Sequence, residues 1–74
     1  MRIQRSQVLT ERWHTLPPAV RAFVQTLRRK PRPPDAMTIP GRPNYDEEFV
    51  DGFGLVWTVD DSGRETIIRV TVTE

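Results

Sequence analysis

Three groups of side chains in this sequence are of the kind that does chemistry. Arg28, Arg29, Lys30 and Arg32 form a run of cations, Asp46, Glu47 and Glu48 a run of carboxylates, and Arg64 and Arg69 are the two cations of the C-terminal half. A cation can neutralise charge developing on a phosphate, provided that a general acid or base lies within hydrogen-bond reach. Runs of like charge can instead form surfaces that recognise a partner of opposite sign. His14 is the sole imidazole, and no carboxylate is spaced to complete a metal site with it. With no cysteine in the chain, neither a disulfide framework nor a cysteine-based zinc site can staple the fold. No metal and no cofactor is expected.

The charges are segregated along the chain. Residues 1–42 carry nine basic side chains against Glu11 and Asp35, a net +7, whereas residues 43–74 carry Arg64 and Arg69 against eight acids, a net −6. Such asymmetry marks binding surfaces, or else two halves that attract each other within the fold. Seventy-four residues make a single domain, 1–74. A chain of this length buries about 60% of the surface that its unfolded form exposes, so its core must be economical. No apolar run approaches the ~18 residues of a membrane span, and the first residues lack a signal-peptide core. A cytoplasmic location without membrane association is the expectation.

The elements that must position these groups follow from periodicity. Ile3 suits a short first strand. Ser6 is a plausible N-cap, after which Leu9, Trp13 and Leu16 share one helix face. Pro17 and Pro18 end that helix and open the next, in which Val20, Phe23, Val24 and Leu27 recur at helical spacing. Helices are expected near 6–14 and 17–30, a helical hairpin over about 6–30. Arg28, Arg29 and Lys30 then stand where the helix macrodipole favours cations. Residues 31–44 hold five of the seven prolines and read as a connector. Within it KPRPP has the composition of a polyproline ligand, although proline-rich connectors after helices are common.

Strands are expected near 45–50, 53–59 and 65–73. Phe53, Leu55, Trp57 and Val59 alternate on one face of the second, Ile68, Val70 and Val72 on one face of the third, and Asp60-Asp61-Ser62-Gly63 is turn chemistry between them. The order is β-α-α-β-β-β, an α+β domain with two helices on one face of an antiparallel sheet over 45–73. The expected core is Leu9, Trp13, Leu16, Val20, Phe23, Val24, Leu27, Phe53, Leu55, Trp57, Ile68, Val70 and Val72. His14 is expected on the helix surface or partly packed.

ERWHTLPPAVRAFVQTL and NYDEEFVDGFGLVWTVDDSGRETIIRVTV together resemble the RelE/ParE superfamily of bacterial toxins, across nearly the whole chain. The most specific segment is GFGLVWTVDD, similar to a family strand that carries an arginine where this chain has Gly54. In members that cleave mRNA on the ribosome, the resemblance implies that this arginine stabilises the phosphate under attack, a task that glycine cannot perform. A second reading of Gly54 is structural, a bulge or a close approach by a helix or by the first strand. The resemblance also implies that the fold accepts arginine at position 54. RNA-cleaving members carry cations on the preceding strand, where this chain has Asp46, Glu47 and Glu48, and continue past the last strand with further catalytic groups, where this sequence stops at Thr73-Glu74.

The expected function is that of a toxin-like protein that works by protein binding, as a toxin–antitoxin component or a derived interaction module, without nuclease activity. Asp46, Glu47, Glu48, Arg28, Arg29, Lys30 and Arg32 are the candidate contacts to a protein partner. Two alternatives stay open. One is an active ribosome-dependent mRNA endonuclease, for which Arg64 and Arg69 would be the fallback catalytic cations. The other is a ParE-like inhibitor of gyrase, which needs no nuclease residues and leaves nucleic-acid contact possible through the basic half.

Overall fold

Ser6 is the point at which the first helix is fixed to the sheet. Its Oγ accepts the Leu9 N–H at 3.1 Å, as an N-cap does, and donates to Thr71 Oγ at 2.9 Å, while its own N–H bonds the Val70 carbonyl. In a computed structural model, which describes residues 1–73, strand β1 (Arg2–Arg5) leads into that cap and helix α1 (Gln7–Arg12) leads out of it. The chain then tightens into a 3₁₀ turn over Trp13–Thr15. Leu16, which precedes a proline, is extended, and Pro18 occupies the first turn of α2 (Pro18–Thr26). The Arg21 guanidinium secures this junction by donating to the Leu16 carbonyl at 2.6 Å and, at longer range, to those of Trp13 and His14.

Helix α2 stops at Thr26 rather than near residue 30. The Arg29 and Lys30 N–H groups both turn back to the Thr26 carbonyl at 2.9 Å. Lys30 precedes Pro31, so the α region is disfavoured for it. Arg28 and Arg29 therefore stand in a turn beyond the helix.

The sheet has five strands, against the short first strand and three-strand meander expected from the sequence. To β1 are added β2 (Met37–Ile39), β3 (Arg42–Val50), β4 (Phe53–Asp61) and β5 (Thr66–Thr73), in the order β1-β5-β4-β3-β2. The pairings are antiparallel except that β1 runs parallel to β5, so the sheet is mixed. The additional strand, β2, lies inside the stretch read as connector. Gly41, at φ +79°, lets the chain reverse after Pro40, so that β2 folds back on β3 and β3 begins at Arg42. Pro43 is tolerated because the pairing of β3 with β4 starts only at Tyr45. Asp51 and Gly52 both have positive φ and make the tight β3–β4 turn favoured by an Asp-Gly pair.

One sheet face carries the helices. Leu55 opposes Val72, Trp57 opposes Val70 and Val59 opposes Ile68; these side chains meet Leu9, Leu16, Val20, Val24 and Leu27 in a single core. Trp13, Phe23 and Phe53, expected within the core, pack at its margin. Trp57 is fully buried, meets Phe23 edge to face at 5.5 Å, and donates its indole N–H to the Pro31 carbonyl at 2.9 Å. Trp57→Ala is expected to cost about 3–5 kcal/mol, which approaches the whole stability of a domain this small. The variant should be largely unfolded by circular dichroism at room temperature, whereas Phe23→Ala should retain a cooperative, lowered melt.

Candidate functional site

The helix-free face of the sheet is where alternation places the remaining side chains of β3, β4 and β5. Tyr45, Glu47 and Phe49 stand beside Val56, Thr58 and Asp60, and these beside Ile67, Arg69, Thr71 and Thr73. A shallow groove of about 250 Å³ crosses this face, with Gln4, Tyr45, Val56, Thr58, Arg69 and Thr71 among its walls. Arg69 is the fallback catalytic cation that reaches it. Its Nη1 is held by Asp60 Oδ2 at 2.8 Å. Arg5 lines it as well, and among the described residues no imidazole, lysine amine or carboxylate does. Arg64, the other fallback, is exposed in the turn between β4 and β5 and does not line the groove. His14 is exposed in the 3₁₀ turn.

Gly54 has a packing reason to be glycine. It lies on this outer face, in continuous register between Phe49 and Thr73, without a bulge. A Cβ built on it would stand 2.6 Å from Thr73 Oγ and 3.1 Å from the Phe49 ring, and Thr73 Oγ donates to the Gly54 carbonyl at 3.3 Å. The approach comes from neighbouring strands, not from a helix or the first strand. Phe49 lies over the glycine while 68% of its own surface stays exposed. Arginine at this position would have to displace both neighbours.

The three acids do not share a surface. Asp46 opposes Trp57 on the inner face and is only 5% exposed; it accepts from Arg32 Nη1 at 3.1 Å and from Thr38 Oγ at 3.4 Å. Glu48 opposes Leu55 on the same inner face, partly buried, and its Oε1 has no hydrogen-bond partner among the described residues. Burial, reinforced by the nearby Asp35 charge, raises its pKa. Glu47 alone points outward, between Met37 and Val56. Arg32 is likewise separated from Arg28, Arg29 and Lys30, because it is spent on Asp46.

A second concavity, of about 1170 Å³, opens between β1 and the end of α2, and here Arg28 and Arg29 meet Arg2 and Arg5. The sequence reading missed Arg5 and the exposed part of Trp13, whose ring lies 4.4 Å from the Arg5 guanidinium. Neither residue carries a local signal that β1 and the 3₁₀ turn after α1 converge.

Two stability measurements follow. Gly54→Ala should lose about 1–3 kcal/mol through overpacking, with part of that loss recovered in a Thr73→Ala background. A raised carboxyl pKa means that the folded state holds the proton more tightly than the unfolded one, so stability falls as pH climbs above 4.5. Glu48→Gln should therefore outlast the parent in urea at neutral pH, and the gap should close as pH falls towards 4.5. No protein-family model, no curated protein and no solved structure matches this chain.

Proposed function

We propose that this chain is a RelE/ParE-like protein that acts by binding another protein and does not cleave RNA. The observation that carries the reading is the composition of the outer-face groove. Of its two cations, Arg69 is paired with Asp60 and Arg5 lies on the Trp13 ring, and among the described residues no proton acceptor of the His, Lys, Asp or Glu type lines it. In-line attack on a phosphodiester needs both a free cation for the phosphate and a group to take the hydroxyl proton. A binding protein needs neither. Arg28 and Arg29, with which no described carboxylate pairs, lie outside this groove, which suits contact with a partner rather than chemistry on a substrate.

The test is a purified translation reaction on a defined message. The unmodified protein should leave the message intact from about pH 6 to pH 8, the range over which catalytic acids and bases are tuned. Site-specific cleavage that is lost in Arg69→Ala would overturn the reading. Induced expression adds a second readout: growth arrest without message cleavage would point to a partner whose loss is lethal, as a ParE-like gyrase inhibitor would give.

A further inference from the structure

The groove between β1 and the end of α2 is built in two halves. Its floor is apolar, from Ile3, Trp13 and Val24, and its rim is cationic, from Arg2, Arg5, Arg28 and Arg29. None of the described residues that line it is acidic. Two of the four arginines are already engaged. Arg2 pairs with Glu65 at 2.9 Å, and Arg5 lies on the Trp13 ring. Arg28 and Arg29 are exposed, and among the described residues no carboxylate pairs with them. The turn that returns the Arg29 and Lys30 N–H groups to Thr26 fixes their backbone at the groove's edge.

We infer that this groove receives an acidic peptide segment of a partner protein, whose carboxylates meet Arg28 and Arg29 and whose apolar side chains rest on Ile3. This inference rests on the proposal that the chain acts by binding protein. Charge complementarity selects an anionic occupant, since arginine presents a planar fork of donors that fits carboxylate two bonds at a time. The floor then selects among anions. A phosphodiester backbone would use the rim but set charge against Ile3 and Trp13. A nucleobase would find the Trp13 face taken by Arg5, where stacking on a free aromatic is what single-stranded nucleic acids require. A peptide that carries both glutamate and leucine uses both halves.

The experiment is fluorescence anisotropy with the full chain and three labelled probes of equal length: a peptide of Glu-Leu-Glu repeats, polyglutamate, and a single-stranded oligonucleotide. The Glu-Leu-Glu peptide should bind tightest, and its binding should weaken as salt is raised. The double variant Arg28→Ala/Arg29→Ala should weaken it about tenfold, the loss of two charge-assisted contacts. The control Arg42→Ala/Arg64→Ala, equally exposed but outside the groove, should bind as the parent does, with both variants folded by circular dichroism. No binding of the peptide, equal losses in both double variants, or tighter binding of the oligonucleotide overturns the inference. Message cleavage in the translation reaction is a separate result, and it would remove the proposed function while leaving the peptide measurement to stand on its own.

Discussion

The hydrogen bond from the Trp57 indole to the Pro31 carbonyl is the contact on which the arrangement of this small protein depends. Trp57 sits at the middle of β4, fully buried, with Val70 on one flank and Asp46 on the other. An indole N–H taken out of water must find an acceptor, and here it finds one in the chain leaving α2. That bond draws residues 31–36 across the inner face of the sheet. It also brings Arg32 within reach of Asp46, so that a carboxylate facing the core has its counter-ion. Removing Arg32 alone would leave a buried charge unpaired, which is far costlier than losing an exposed ion pair.

The charges that look like a functional cluster in the sequence are not one. A run of three acids suggests a single negative surface, but strand alternation sends Asp46 and Glu48 inward and Glu47 outward. The alternation was legible, since Tyr45, Glu47 and Phe49 fall on one parity. What was not legible is which parity faces the helices, because that is settled by pairing with β4 and by the connector that covers the pair. Arg32 shows the converse. It reads as the end of a basic run, yet fourteen residues further on lies the acid that takes it.

Much of the fold was readable because apolar periodicity is a local property. Leu9, Leu16, Val20, Val24 and Leu27 on the helices, and Leu55, Trp57, Ile68, Val70 and Val72 on the strands, are buried as their spacing requires. Strand β2 was not readable. Three residues between prolines carry no period, and Met37–Ile39 is a strand only because Gly41 returns the chain alongside β3. Gly54 was recognised as unusual, and its physical cause lay in two residues, Phe49 and Thr73, that only the register brings beside it. The basic groove depends on β1 and the end of α2 converging, a tertiary fact with no local signature.

The parallel pairing of β1 with β5 has a consequence for how the molecule is made. Ser6 and Thr71, joined by a hydrogen bond, are 65 residues apart in the chain. The strand that flanks β1 is thus the last of the five to be synthesised, and α1, which packs on it, lacks that support until it arrives. Pairing between segments this distant is slow to form, because loop-closure entropy must be overcome before the contacts repay it. Until then the core lacks Ile68, Val70 and Val72, and incompletely covered apolar surface is the condition under which nascent chains recruit chaperones or aggregate.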